Sequence, residues 1–92
     1  MGFQNYPFAT GQVTITSVPT LIVPANAARS GLVITFYTGA NDVFLVENPA
    51  GNTGTGQLLP ATKGASIGFS TTGAVYGVVA TGSSVITFLY TQ

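Results

Sequence analysis

The chain contains no cysteine, no histidine and no tryptophan, and only two basic and two acidic residues: Arg29, Lys63, Asp42 and Glu47. Each absence removes a class of chemistry. Without His or Cys there is no nucleophile–His pair, no thiolate chemistry and no zinc site of the usual ligand types. Glycoside hydrolysis usually needs two carboxyl groups facing one cleft. Asp42 and Glu47 are an odd number of positions apart, so on a regular strand they point to opposite faces. The expectation is a protein with no catalytic residue, no metal site and no cofactor. Two basic residues cannot neutralise a run of phosphates, so nucleic acid is not an expected partner. No run of 18 apolar residues occurs, so no membrane-spanning helix is expected, and the first residues lack the basic start and apolar run of a signal peptide.

A few local features imitate sites. Asn41 and Asp42 offer oxygens to a hard cation, but a lone Asp beside a turn more often caps it. Gly51–Gly56 has the glycine content of a phosphate-binding loop without the Lys-Ser/Thr that must follow. Lys63, in Thr62-Lys63-Gly64, reads as solvating a turn. Arg29 is expected to pair with Asp42 or to reach a partner subunit, an ion pair worth little where exposed.

What the chain does have is apolar surface. Hydrophobic residues make up 46% and charged residues 4%, with zero net charge, against about 25% charged in an ordinary domain. Like charge normally keeps copies of a soluble monomer apart. Two readings follow: a monomer solvated by Thr, Ser, Asn and Gln, or a subunit whose surface is covered by neighbours. The composition points to the second, a homo-oligomer with a trimer favoured.

Ninety-two residues make one domain. Its organising stretch is Leu21–Glu47. Val33, Ile34, Thr35, Phe36 and Tyr37 in a row are β-branched or aromatic, which fit a pleated surface and disfavour helix. The spacing predicts strands at Gln12–Ser17, Leu21–Val23, Gly31–Thr38, Asp42–Glu47, Gln57–Leu59, Ala65–Ser70, Ala74–Ala80 and Ser84–Thr91. Pro24–Ser30 and Asn48–Gly56 read as loops, the first with room for a helical turn. Gly39-Ala40-Asn41 and Thr81-Gly82-Ser83 read as tight turns closing two hairpins. Turn signals every 8–12 residues and no helical period give an all-β fold, an antiparallel β-sandwich, jelly-roll-like, of about seven or eight short strands.

Residues 1–11 read as an extended N-terminal arm before a single domain over 12–92. Phe3, Tyr6 and Phe8 stand in it, with Pro7 biasing Tyr6 to extended angles. Two strands carry apolar groups on both faces: Leu32, Ile34 and Phe36 oppose Val33, Thr35 and Tyr37, and Ile86, Phe88 and Tyr90 oppose Val85, Thr87 and Leu89. A two-layer sandwich covers only one face of each sheet, so a second cover is expected. The candidate partner-contact residues are Phe3, Tyr6, Phe8, Tyr37 and Tyr90.

Five motifs carry a resemblance: Ile22-Val23-Pro24-Ala25-Asn26, then Arg29, Asn41-Asp42-Val43-Phe44-Leu45, Leu59-Pro60-Ala61 and Thr72-Gly73-Ala74-Val75-Tyr76. Over residues 12–90 the pattern resembles small phage virion proteins of the head decoration or cement type. It departs at Thr62-Lys63-Gly64 and in the aromatic arm. The resemblance implies a non-enzymatic β-sandwich subunit, located in the virion after assembly in the host cytoplasm. Its partners would be the major capsid protein or other virion subunits. The alternative is a glycan- or receptor-binding module of a phage tail or head fibre, with Tyr37, Asn41 and Asp42 as its sugar site.

Overall fold

The computed structural model describes residues 8–92, and these form eight strands in two antiparallel sheets. The strands are β1 (Phe8–Thr16), β2 (Thr20–Val23), β3 (Gly31–Gly39), β4 (Val43–Val46), β5 (Gln57–Leu59), β6 (Ser66–Phe69), β7 (Val75–Val78) and β8 (Ser83–Thr91). One sheet has the order β1-β8-β3-β6 and the other β2-β7-β4-β5. There is no helix among the described residues.

The pairings β1–β8, β2–β7, β3–β6 and β4–β5 describe a single antiparallel ribbon, running out through β4 and back from β5. Rolling that ribbon so that β3 also meets β8, and β4 also meets β7, closes it into two layers. This is the jelly-roll arrangement, the expected fold class, and it leaves only the outer strands of each sheet as edges.

The core lies between the layers. Ile15, Leu32, Ile34, Phe36 and Ile86 face it from one sheet, and Ile22, Val23, Val43, Leu45, Leu59 and Val75 from the other. Fully burying one such side chain contributes about 1.5–3 kcal/mol, so this seam carries most of the stability of a domain without disulfides. Two register shifts adjust which side chains reach it. The shift between Leu21 and Val23 lets Ile22 and Val23 both be buried. The shift between Phe36 and Thr38 inserts Tyr37 as an extra residue, leaving it exposed. Bulges commonly re-aim a side chain in this way.

Two local expectations are corrected. β3 and β4 are not a hairpin, and neither are β7 and β8, because the members of each pair belong to different sheets. Gly39-Ala40-Asn41 carries the chain across the sandwich. The crossing is tied by Ser84, whose hydroxyl donates to the Asn41 carbonyl at 2.7 Å and accepts from the Asn41 N–H at 3.3 Å. Crossing sets the apolar faces of β3 and β4 against each other through the core. A hairpin would lay the two strands side by side in one layer.

The N-terminal boundary also moves. Phe8–Gly11, read from the sequence as arm, is strand: Phe8, Ala9, Thr10 and Gly11 stand opposite Thr91, Tyr90, Leu89 and Phe88. Phe3 and Tyr6 lie outside the described residues. A Cβ at Gly11 would fall 2.6 Å from Cζ of Phe88, so the ring would have to shift to admit it. Gly11→Ala should cost about 1–3 kcal/mol through displacement of that ring, measured as a lower urea midpoint at unchanged slope. A midpoint equal to the parent's would show that the ring yields freely. Pro24–Ser30 holds one turn and no helix, with Arg29 N–H donating to the Asn26 carbonyl at 3.1 Å.

Candidate functional site

All four charged residues lie in connectors between strands: Arg29 between β2 and β3, Asp42 between β3 and β4, Glu47 after β4, and Lys63 between β5 and β6. No strand carries a charge. Three of the four have a local structural task. Arg29 is only 4% exposed. Its Nε donates to the Thr71 carbonyl at 2.8 Å, its Nη1 to the Pro24 carbonyl at 2.9 Å, and its Nη2 to the Gly73 carbonyl. The guanidinium carbon also stands 5.8 Å from the centre of the Tyr90 ring. The planar fork thus clips the β2–β3 loop to the β6–β7 loop, a geometry that only Arg supplies.

The expected Arg29–Asp42 pair is therefore absent. Burial fixes the guanidinium among backbone carbonyls, while Asp42 faces the β5–β6 connector and accepts the Ala61 N–H at 2.8 Å. Asp42 thus ties its connector to the β5–β6 connector instead of capping the turn beside it, and Asp42→Asn should change stability by no more than about 1 kcal/mol, read from the thermal midpoint. Lys63 does not merely solvate its turn: its Nζ lies 5.1 Å from the centre of the Tyr37 ring. That contact lies over Tyr37, one of the three residues expected as a sugar site. Among the described residues no three His, Cys, Asp or Glu side chains come together.

What remains as a site is the outside of the sandwich. On the β2-β7-β4-β5 sheet, register places Leu21, Tyr76 and Val46 in one cross-strand row and Val78, Phe44 and Leu58 in the next. Leu21 and Leu58 are 43% and 45% exposed, whereas Val46 and Val78 are covered. Gly51 and Gly56 of the β4–β5 loop pack directly on Val46, so the loop shields one corner of this face. On the β1-β8-β3-β6 sheet, Thr10, Leu89, Val33 and Gly68 form one row, and Gln12, Thr87, Thr35 and Ser66 the next. These rows border a shallow depression of about 610 Å³. Phe8, at the start of β1, is 67% exposed on the same side.

Of the five sequence candidates, the described residues hold Phe8, Tyr37 and Tyr90, and these three do not form one patch. Phe8 and Tyr37 are exposed as expected. Tyr90 points to the core side, stacked on Phe88 with ring centroids 6.1 Å apart, and packs against the core cluster. It is held beneath Arg29 and is a structural residue. The outer-face residues Leu21, Phe44, Leu58 and Tyr76 were missed. For Leu21, Phe44 and Tyr76 a signal was present: LIV, VFLV and VYGV are unbroken or nearly unbroken apolar runs, the mark of strands covered on both faces, whereas the short QLL around Leu58 carried none.

No family model matches the sequence, and no curated protein does. A solved structure from work on Bacillus endospore appendages, described as disulfide-linked pili, is similar over 99% of this chain and 94% of its own, with 19% identity and a TM-score of 0.42.

Proposed function

We propose that this chain is a non-enzymatic structural subunit of a phage virion, a head decoration or cement protein. In this reading it attaches to the major capsid protein, or to neighbouring virion subunits, through its outer sheet faces. The observation that carries the proposal is the confinement of every charge to connectors, which leaves both outer faces uncharged and studded with apolar side chains. Such surface is typical of a contact site. Removing it from water on a lattice would staple the shell by mass action, because ligands that bind only the assembled state stabilise it. Many weak copies would hold by avidity. The protein would be found in the virion, after assembly in the host cytoplasm.

The decisive experiment is quantitative protein analysis of purified particles, combined with binding of the isolated protein to purified heads. Hundreds of copies per particle are expected for decoration, whereas a handful would assign it to a fibre or tail. Leu21→Glu combined with Leu58→Glu should abolish head binding. Because both side chains are nearly half exposed, each change should alter stability by only about 0.5 kcal/mol. A double variant that folds and still binds heads as the parent does would exclude this face, and absence of the protein from particles would overturn the virion reading.

A further inference from the structure

The four edges of the two sheets are unequal. β2 is four residues long, carries a register shift and is followed by Pro24. β5 is three residues long and is followed by Pro60, and β6 has only four residues. These are the usual ways in which proteins blunt an edge. β1 has none of them. It is nine residues long, FATGQVTIT, with no proline and no charge, and its register with β8 runs unbroken from Phe8–Thr91 to Thr16–Ser83. Only its last residue has an outside partner among the described residues, the Thr16 carbonyl accepting the Val79 N–H at 3.0 Å. Toward the other described residues, the edge from Ala9 to Ile15 presents unpaired backbone donors and acceptors, a template for another strand.

We propose that this edge pairs antiparallel with β1 of a second copy, about a two-fold axis at Gln12, joining two four-stranded sheets into one of eight. The occupant follows from the strand's own symmetry. With Gln12 at the axis, Ala9 falls opposite Ile15 and Gly11 opposite Val13, so a small residue meets a large one at each inner position. On the outer side Thr10 falls opposite Thr14, a favourable cross-strand pair. Residues that meet have numbers of the same parity, so the inner and outer faces of both copies stay in register, whereas a slip by one residue would turn the core face to water. An uncharged strand can also be placed against itself without any like-charge contact. A head-to-tail pairing of β1 with β6 of another copy would match nine residues to four and would propagate as an open polymer. The two-fold pairing is isologous and closes.

This inference deepens the assembly role proposed above by naming the first partner, and it places a two-fold contact where the sequence favoured a trimer. It uses an edge, while the lattice contact was assigned to outer faces, so the two can fail separately. Sedimentation of the full chain across a micromolar concentration series should show a monomer–dimer equilibrium. Amide exchange over residues 9–15 should slow as concentration rises, while exchange in β6 stays constant. Thr10 and Thr14 are exposed, so charges there leave the fold intact. T10K/T14K should raise the dimer Kd about tenfold by setting like charges opposite each other twice. T10E/T14E should do the same, a mixture of the two should form heterodimers, and T10K/T14E should dimerise again. A parent protein that stays monomeric, charge variants that associate like the parent, or an open polymer that protects β6 would each overturn the pairing. If that occurs while the parent still binds heads and L21E/L58E does not, only the edge pairing fails and the lattice role stands.

Discussion

Arg29→Met should lower stability by about 3 kcal/mol, and the thermal midpoint by roughly 12–24 °C for a domain of this size. The guanidinium holds three carbonyls from two loops that the chain separates by more than 40 positions, Pro24 on one side and Thr71 and Gly73 on the other. Methionine keeps much of the volume and removes every donor, leaving partly buried acceptors without partners. That penalty, rather than the mean worth of a hydrogen bond, sets the size of the effect. Arg29→Lys should recover less than half of the loss, because one ammonium cannot span three acceptors arranged for a planar fork. The opposing term is the desolvation of a cation that has no acid beside it. If Arg29→Met proves neutral by thermal and urea unfolding, desolvation cancels the three bonds and the clip does not stabilise the fold. The loss should also appear locally: the Asn26 N–H, which donates to the Thr72 carbonyl at 2.8 Å between the same two loops, should exchange much faster in the variant.

Gly39→Ala should be comparably damaging. Gly39 has φ +134° at the point where the chain leaves one sheet for the other, and a Cβ there would lie 2.8 Å from the Cα of Ser84. The backbone angle alone costs about 1–3 kcal/mol for a residue with a side chain. The contact is with backbone, which cannot swing aside, so the total should reach about 3 kcal/mol or more as the Ser84–Asn41 tie opens. Gly64→Ala separates the two causes. Gly64 also has positive φ, at +89°, but a Cβ added there would meet no atom within 4 Å. It should therefore show the conformational cost alone. Equal urea-unfolding losses for the two variants would mean that the crossing tolerates a methyl group and that its steric closure is unimportant.

The two glycines mark how far local sequence carries. Gly39 and Asn41 announce a chain reversal because they accept backbone angles that other residues resist. That signal is the same for a hairpin and for a crossing between layers, since both need a sharp turn between two apolar strands. Period-two alternation in Val13–Ile15 and Leu32–Phe36, with breaks at Pro19, Pro24 and Gly39, determined the strands and the all-β class. The near absence of charge determined that the outer faces would be apolar or uncharged. Which strands became neighbours was decided by the roll of the whole ribbon, through contacts such as β1 with β8 that join the two ends of the chain. The same long-range packing decided the roles of single residues. Tyr90 was turned inward beneath Arg29, Tyr37 was put outside by a register shift, and Asp42 was drawn to the Ala61 N–H instead of to Arg29. A side chain's hydrophobicity and its period state which face of a strand it occupies. Which neighbour covers that face depends on residues far along the chain, and only the closed tertiary structure supplies them.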